Sequence, residues 1–200
     1  MEIQEKNVIL AYSEAEENGK KLLRTLFPSI NFDAATERDT RPVTERITNF
    51  DEAVEELNRR ASDGDELASD LLNDYESLHE SATPDLVAYI KLRIVVAALN
   101  EGWEPQFTED EIRWYPWHYL WTADELSEKS EDWKRERALM TVENHRQEGY
   151  AGFACAYSYY TPSYSNTNIG SRLCFKDENT ARHAATAFID LWADFKLIRK

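Results

Sequence analysis

Residues 84–99, PDLVAYIKLRIVVAAL, are apolar around most of a helical circumference, and the hydrophobic period changes directly after them. Val87, Ile90, Ile94, Val95 and Ala98 recur at helical spacing, while Leu86, Leu92, Val96 and Leu99 widen the arc. Thr83 stands at the N-cap position and Pro84 at the first helical residue. Asn100-Glu101-Gly102 closes the segment, with Gly102 in the left-handed conformation that ends many helices. A helix with so broad an apolar face needs cover on several sides. It is read as a spine joining two halves, a helical portion over 1–102 and an α+β portion over 103–200, in one compact unit.

Before the spine the pattern is helical. Ile9, Tyr12, Leu22, Leu23 and Leu26 form a broken stripe over about 5–26 that ends at Phe27-Pro28. Residues 29–48 read as irregular, extended near Pro42-Val43. NFDEAVEELNRR and ELASDLLNDYESL each carry one apolar face and an outer face of nearly continuous acid, with the turn ASDGD (61–65) between them.

After Gly102 the residues alternate. The runs 113–121, 151–160 and 170–176 are aromatic-rich or bounded by Gly and Pro, as strands are. Between the first two lies a charged, mostly helical stretch with Thr122 as its cap. DENTARHAATAFIDLWADF (177–195) is an amphipathic helix capped by Asp177. The fold class is therefore α+β: an N-terminal helical portion with the spine helix 84–99, and a small antiparallel sheet covered by a C-terminal amphipathic helix.

The eight residues WYPWHYLW (114–121) carry the sharpest chemical signal. On a strand, Tyr115, Trp117, Tyr119 and Trp121 face one way, and Trp114, Pro116, His118 and Leu120 the other. Either both aromatic faces are covered, or one is core and one binds. Pro116 cannot donate to a ladder, which places this strand at an edge or makes it bulged. A hairpin closed symmetrically around TPSYSNTNI pairs Tyr160 with Ile169 and makes Cys155 and Cys174 cross-strand neighbours. Two small buried residues packed together is the leading reading of that pair; a disulfide or half a metal site are the others.

The composition removes some functions. With 38 acids against 23 bases the net charge is -15, weighted toward the first hundred residues (21 acids, 11 bases) over the second (17 and 12). Such a chain is repelled by phosphate backbones and anionic lipid, so direct nucleic-acid binding and membrane association are not expected. The start, MEIQEKNVILAYSEAEENGKK, lacks the basic and apolar regions of a secretory signal, and two cysteines make no disulfide framework. A soluble, cytoplasmic or virion-associated protein is expected.

Chemistry-bearing motifs are sparse. The four histidines (79, 118, 145, 183) form no HExxH or HxH pattern, and no CxxC, GxSxG or Gly-rich phosphate loop occurs. His118, His145, Cys155 and Cys174 lack ligand spacing, so no metal and no cofactor is expected. Glu104 and Glu111 bracket the aromatic run without the spacing rule a carboxylate pair would need. No catalytic residue is assigned. The candidate binding residues are Tyr115, Trp117 and Tyr119 on the aromatic strand. Tyr160, Tyr164 and Asn166 join them from YYTPSYSN, whose composition is that of adaptable recognition loops, as does Arg172 beside it.

The phrases NEGWEPQF (100–107), RWYPW (113–117), GSRLCFK (170–176) and FIDLWADF (188–195), with RPVTERI (41–47) and DLVAYIKLRIVVAALNEGWEP (85–105), resemble a family encoded in genomes of gut anaerobes, their prophages and mobile elements. No activity is established for that family, so the resemblance implies a setting and no functional residue. Three functions follow as expectations. One is a non-enzymatic structural or accessory protein that contacts a host or virion protein. A second is an acidic decoy whose helices over 49–80 imitate nucleic acid. A third is a small-ligand or glycan binder using the aromatic strand.

Overall fold

The computed structural model describes residues 8, 11–12, 15–30, 32, 41–106, 108, 110–142, 149–162 and 171–198. They fall into two units, Met1–Arg41 and Pro42–Lys200, so the second unit runs unbroken across Gly102. In the first unit, helix α1 (Glu17–Leu26) lies beside a small cluster of Val8, Tyr12 and Phe32. The Tyr12 and Phe32 rings stack with centroids 4.4 Å apart, and Arg24 Nε donates to the Tyr12 hydroxyl at 2.8 Å. The helix expected from about residue 5 is interrupted: Glu16 is extended (ψ 165) and serves as the N-cap of α1.

The second unit opens with a short helix α2 (Val43–Arg46) where extended chain was expected; only its flanking residues, Pro42 (φ -49, ψ 141) and Ile47 (φ -121, ψ 94), leave the helical conformation. Helices α3 (Phe50–Ser62) and α4 (Glu66–Glu76) follow, capped by the side chains of Asn49 and Asp65. Then comes the spine, α5 (Pro84–Leu99), with the bounds the sequence predicts and Gly102 at φ +87. It packs on α3 and α4 on one side and on the C-terminal helix on the other. Arg60 fastens this layer: its guanidinium binds Asp65 and donates to the Ala97 carbonyl. These bonds satisfy a nearly buried charge with both a carboxylate and a backbone acceptor.

Strand β1 (Ile112–Trp121) is followed by the short helices α6 (Ala123–Ser127) and α7 (Glu131–Glu136). Thr122 and Glu125 form the reciprocal capping box at the start of α6. Strands β2 (Met140–Thr141) and β3 (Gly152–Pro162) complete an antiparallel sheet of order β1-β3-β2. Here the expected topology needs correction. Residues 171–176 do not pair with 151–160; Ser171–Leu173 form a 3-10 turn, and Phe175 makes one antiparallel bridge to Trp114 on the far side of β1. Cys174 therefore does not face Cys155, whose partner is His118; both thiols are free and buried. The symmetric hairpin failed as a guide because its closing loop fixes register only when the two runs pair with each other.

The last expected helix is two: α8 (Glu178–Ala187), capped by Asp177, and α9 (Ile189–Lys196), separated at Phe188 (φ -117, ψ 32). A helix end leaves its last carbonyls without intrahelical donors. The Ala185 carbonyl is met by the His118 imidazole at 3.1 Å, and the Ala184 carbonyl accepts the Trp192 indole at 3.0 Å in addition to the Phe188 N–H at 3.3 Å. Helix α8 lies on β1 and β3, and α9 lies on α5. Trp192, Phe153, Phe175, Leu92 and Ile94 fill the core between sheet and spine. Among the described residues, no helix is long and apolar enough to cross a membrane.

Candidate functional site: the aromatic face of the sheet

Pro116 behaves as its chemistry requires. It sits in an edge strand, and the β1–β3 register shifts between Trp117 and His118. Trp117 pairs with Tyr157 while His118 pairs with Cys155, so Ala156 is the extra residue and belongs to β3. Unbroken alternation would send Phe153, Cys155 and Tyr157 to one face. The bulge separates them, leaving Phe153 and Cys155 on the covered face and Tyr157 on the other.

On the covered face, His118 stacks on Phe153 (4.7 Å) and tilts against Trp192 (5.8 Å). This is the core duty expected for one side of WYPWHYLW. The opposite face is different. Trp117 lies nearly parallel to Tyr157 (centroids 6.0 Å, 11°), and Tyr119 meets Tyr157 edge-on at 6.3 Å and Trp121 at 6.0 Å. Trp121 meets Trp133 of α7 at 5.0 Å. Tyr119 and Tyr157 are 45% and 41% exposed, large values for rings this well ordered by neighbours. Five rings thus run continuously from the middle of the sheet onto α7.

Two cations border the run. The Lys129 ammonium lies 5.3 Å from the Trp121 ring centre and 5.5 Å from that of Trp133, and the Arg137 guanidinium lies 4.9 Å from the Trp133 ring. At the bulge, Glu136, Arg137 and Arg182 line a cavity of about 340 Å³ with Cys155, Ala156, Tyr157 and Thr186, and Arg182 also pairs with Glu178 at 2.8 Å. The rings and the cavity share Tyr157. The far end of the face is closed by the α6–α7 segment: Leu126 and Leu139 occupy the space a side chain on Gly152 would fill.

The sequence-based site is therefore brought together only in part. Trp117 and Tyr119 lie in the exposed run. Tyr115 does not: it is 2% exposed, and burial pushes its phenol up to about 12, with Glu111 adding to the effect. Cys174 and Glu111 are among the groups around it. Of Tyr160 only its strand position, opposite Trp114, is described; Tyr164 and Asn166 lie outside the described residues. Arg172 is exposed but lines a separate cavity with Arg93 and Trp103. Residues the sequence reading missed are Tyr157, hidden by the bulge, and Trp133, a lone ring among six charged residues in SEDWKRER, whose isolation was a readable signal. Among the described residues no His, Cys, Asp or Glu group is arranged to hold a metal ion.

Comparison with protein-family models, with curated proteins and with solved structures finds no match to this chain. The geometry of the site is thus the basis for assigning it a role.

Proposed function

We propose that the chain is a non-enzymatic protein-binding protein, a structural or accessory component, whose working surface is the aromatic face formed by Trp117, Tyr119, Trp121, Trp133 and Tyr157. The observation that supports this reading is the continuity of those five rings on an incompletely covered sheet face. Tyr and Trp offer large contact area at low conformational cost, and they dominate the energetics of protein interfaces. The phage or mobile-element setting implied by the sequence phrases belongs to the same proposal.

Charge selects the kind of partner. Lys129 and Arg137 border the rings of a chain that is otherwise strongly acidic, while Arg182 of the adjoining cavity is paired with Glu178. A segment with apolar side chains followed by a carboxylate fits both parts, its chains over the rings and its acid at Arg137. The decoy alternative has weaker support. On α3, α4 and the turn between them, Glu56, Asp63, Asp65 and Asp74 pair with Arg59, Arg60 or Arg93, so four of the eleven acids over 49–80 do not stand as free phosphate mimics.

A random peptide library selected on the immobilised protein tests the proposal. Enriched sequences should combine aromatic or aliphatic residues with Asp or Glu, and Tyr157→Ser and Arg137→Ala should each abolish recovery. Failure to enrich any sequence, or enrichment indifferent to Tyr157→Ser, would sink it. Hits on a glycan array that depend on Tyr157 would transfer the same surface to the sugar-binding alternative.

A further inference from the structure

Behind the sheet, on the side of the spine helix, lies a second cavity of about 460 Å³, a volume typical of small-molecule sites. Its wall is built by Leu67 and Leu71 of α4, Val96 and Ala97 of α5, and Trp103 and Pro105 beyond the end of α5. The polar groups that line it are few. Asn100 is already spent: its amide donates to the Cys174 carbonyl at 2.9 Å and accepts from the Lys176 N–H at 3.1 Å. What is left to meet a ligand is charge, Arg93 and Arg172, with Glu104 on the same lining.

We propose that this cavity binds an amphipathic monoanion, a small molecule with an apolar body and one carboxylate head. Two guanidiniums on an apolar wall are suited to a carboxylate, which they bond in a planar, forked arrangement. Arg93 uses one nitrogen on Asp74 at 3.3 Å, and Arg172 pairs with no carboxylate among the described residues. Both can turn toward a bound head group. The Glu104 carboxylate on the same lining disfavours a dianion such as a phosphate monoester. The apolar side chains of α4 and α5 and the Trp103 ring take the body of the ligand, and their burial supplies the favourable free energy. This site shares no residue with the aromatic face, and its occupancy is independent of the proposal made for that face.

The test uses decanoate on the whole protein, read by calorimetry and by thermal shift, with decan-1-ol and decyltrimethylammonium as comparators. Decanoate should bind saturably at one site and raise the melting temperature, and the cationic analogue should not. Arg172→Met, a substitution at an exposed side chain, should weaken decanoate by about tenfold through loss of a charge-assisted bond. Ala97→Phe should block binding by filling the wall, and Tyr157→Ser on the sheet face should bind like the parent protein. No saturable binding of decanoate, equal binding of the cation, or decanoate affinity unchanged in both Arg172→Met and Ala97→Phe would overturn the proposal. Circular dichroism of each variant separates lost binding from lost fold.

Discussion

The ammonium of Lys196 donates to Nδ1 of His118 across 3.0 Å, and the ring donates its own proton from Nε2 to the Ala185 carbonyl at 3.1 Å. Lys196 also bonds the Pro116 carbonyl at 3.2 Å and lies 4.8 Å from the Trp192 ring centre. This arrangement fixes the tautomer of a neutral His118 and ties α9 to the strand edge where Pro116 interrupts the ladder. Burial, then the nearby Lys196 charge, pushes His118 down to about 3; burial holds Lys196 at about 8.

The pH dependence of stability follows from these directions. Between about 3 and the ordinary histidine value of 6.5, the unfolded chain binds a proton at this residue that the folded chain does not. Stability should therefore fall as pH drops through that window. Lys196 acts at the other end: between about 8 and 10.5 the unfolded chain again holds more protons, so this group adds stability as pH rises. Urea midpoints measured from pH 4 to 10 check both arms. His118→Phe should flatten the acid arm, and an unchanged acid arm would remove His118 as its cause.

Lys196→Met should raise the pKa of His118 without restoring it to 6.5, because burial is the larger cause and the lysine charge the smaller. A proton NMR titration of the imidazole reads this directly. No movement would show that the lysine charge is screened from the ring.

Gly152→Ala should destabilise the protein by about 1–3 kcal/mol, the usual cost of overpacking a filled site. An added Cβ would fall 2.6 Å from a Leu139 methyl and 2.8 Å from one of Leu126. Shortening Leu139 to Ala in the same chain should recover part of the loss, and a double-mutant cycle by chemical denaturation measures the coupling.

Both cysteines should resist thiol reagents in the native state. Burial raises both thiols, Cys174 to about 11, which leaves little thiolate at neutral pH. Labelling with a disulfide reagent should proceed only as fast as the protein opens, and mass spectrometry should find two free thiols. Rapid stoichiometric labelling of folded protein would contradict this placement.

The helices that pack on one another were legible because their signals are local. The spine α5 and the caps at Thr122 and Asp177 depend on residues within one or two turns. What escaped was decided by distant partners. Phe188 breaks the C-terminal helix where the carbonyls of α8 find donors on Trp192 and His118, and His118 lies 67 residues from Ala185. Tyr115 and Trp117 share a strand face, yet alternation alone does not tell that Tyr115 is core. For the aromatic site, Trp117 and Tyr119 could be chosen from alternation alone, whereas Trp133 and Tyr157 join them through a tertiary contact and a bulge.

The unpaired Ala156 has a consequence for sequence change along this strand. Lengthening or shortening β3 by one residue at that point acts as an inversion and not as a local defect. Deleting Ala156 would restore strict alternation, and either Tyr157 would turn inward against α8 or Cys155 and Phe153 would turn outward to solvent. One small side chain thus lets a single strand serve two opposite surfaces.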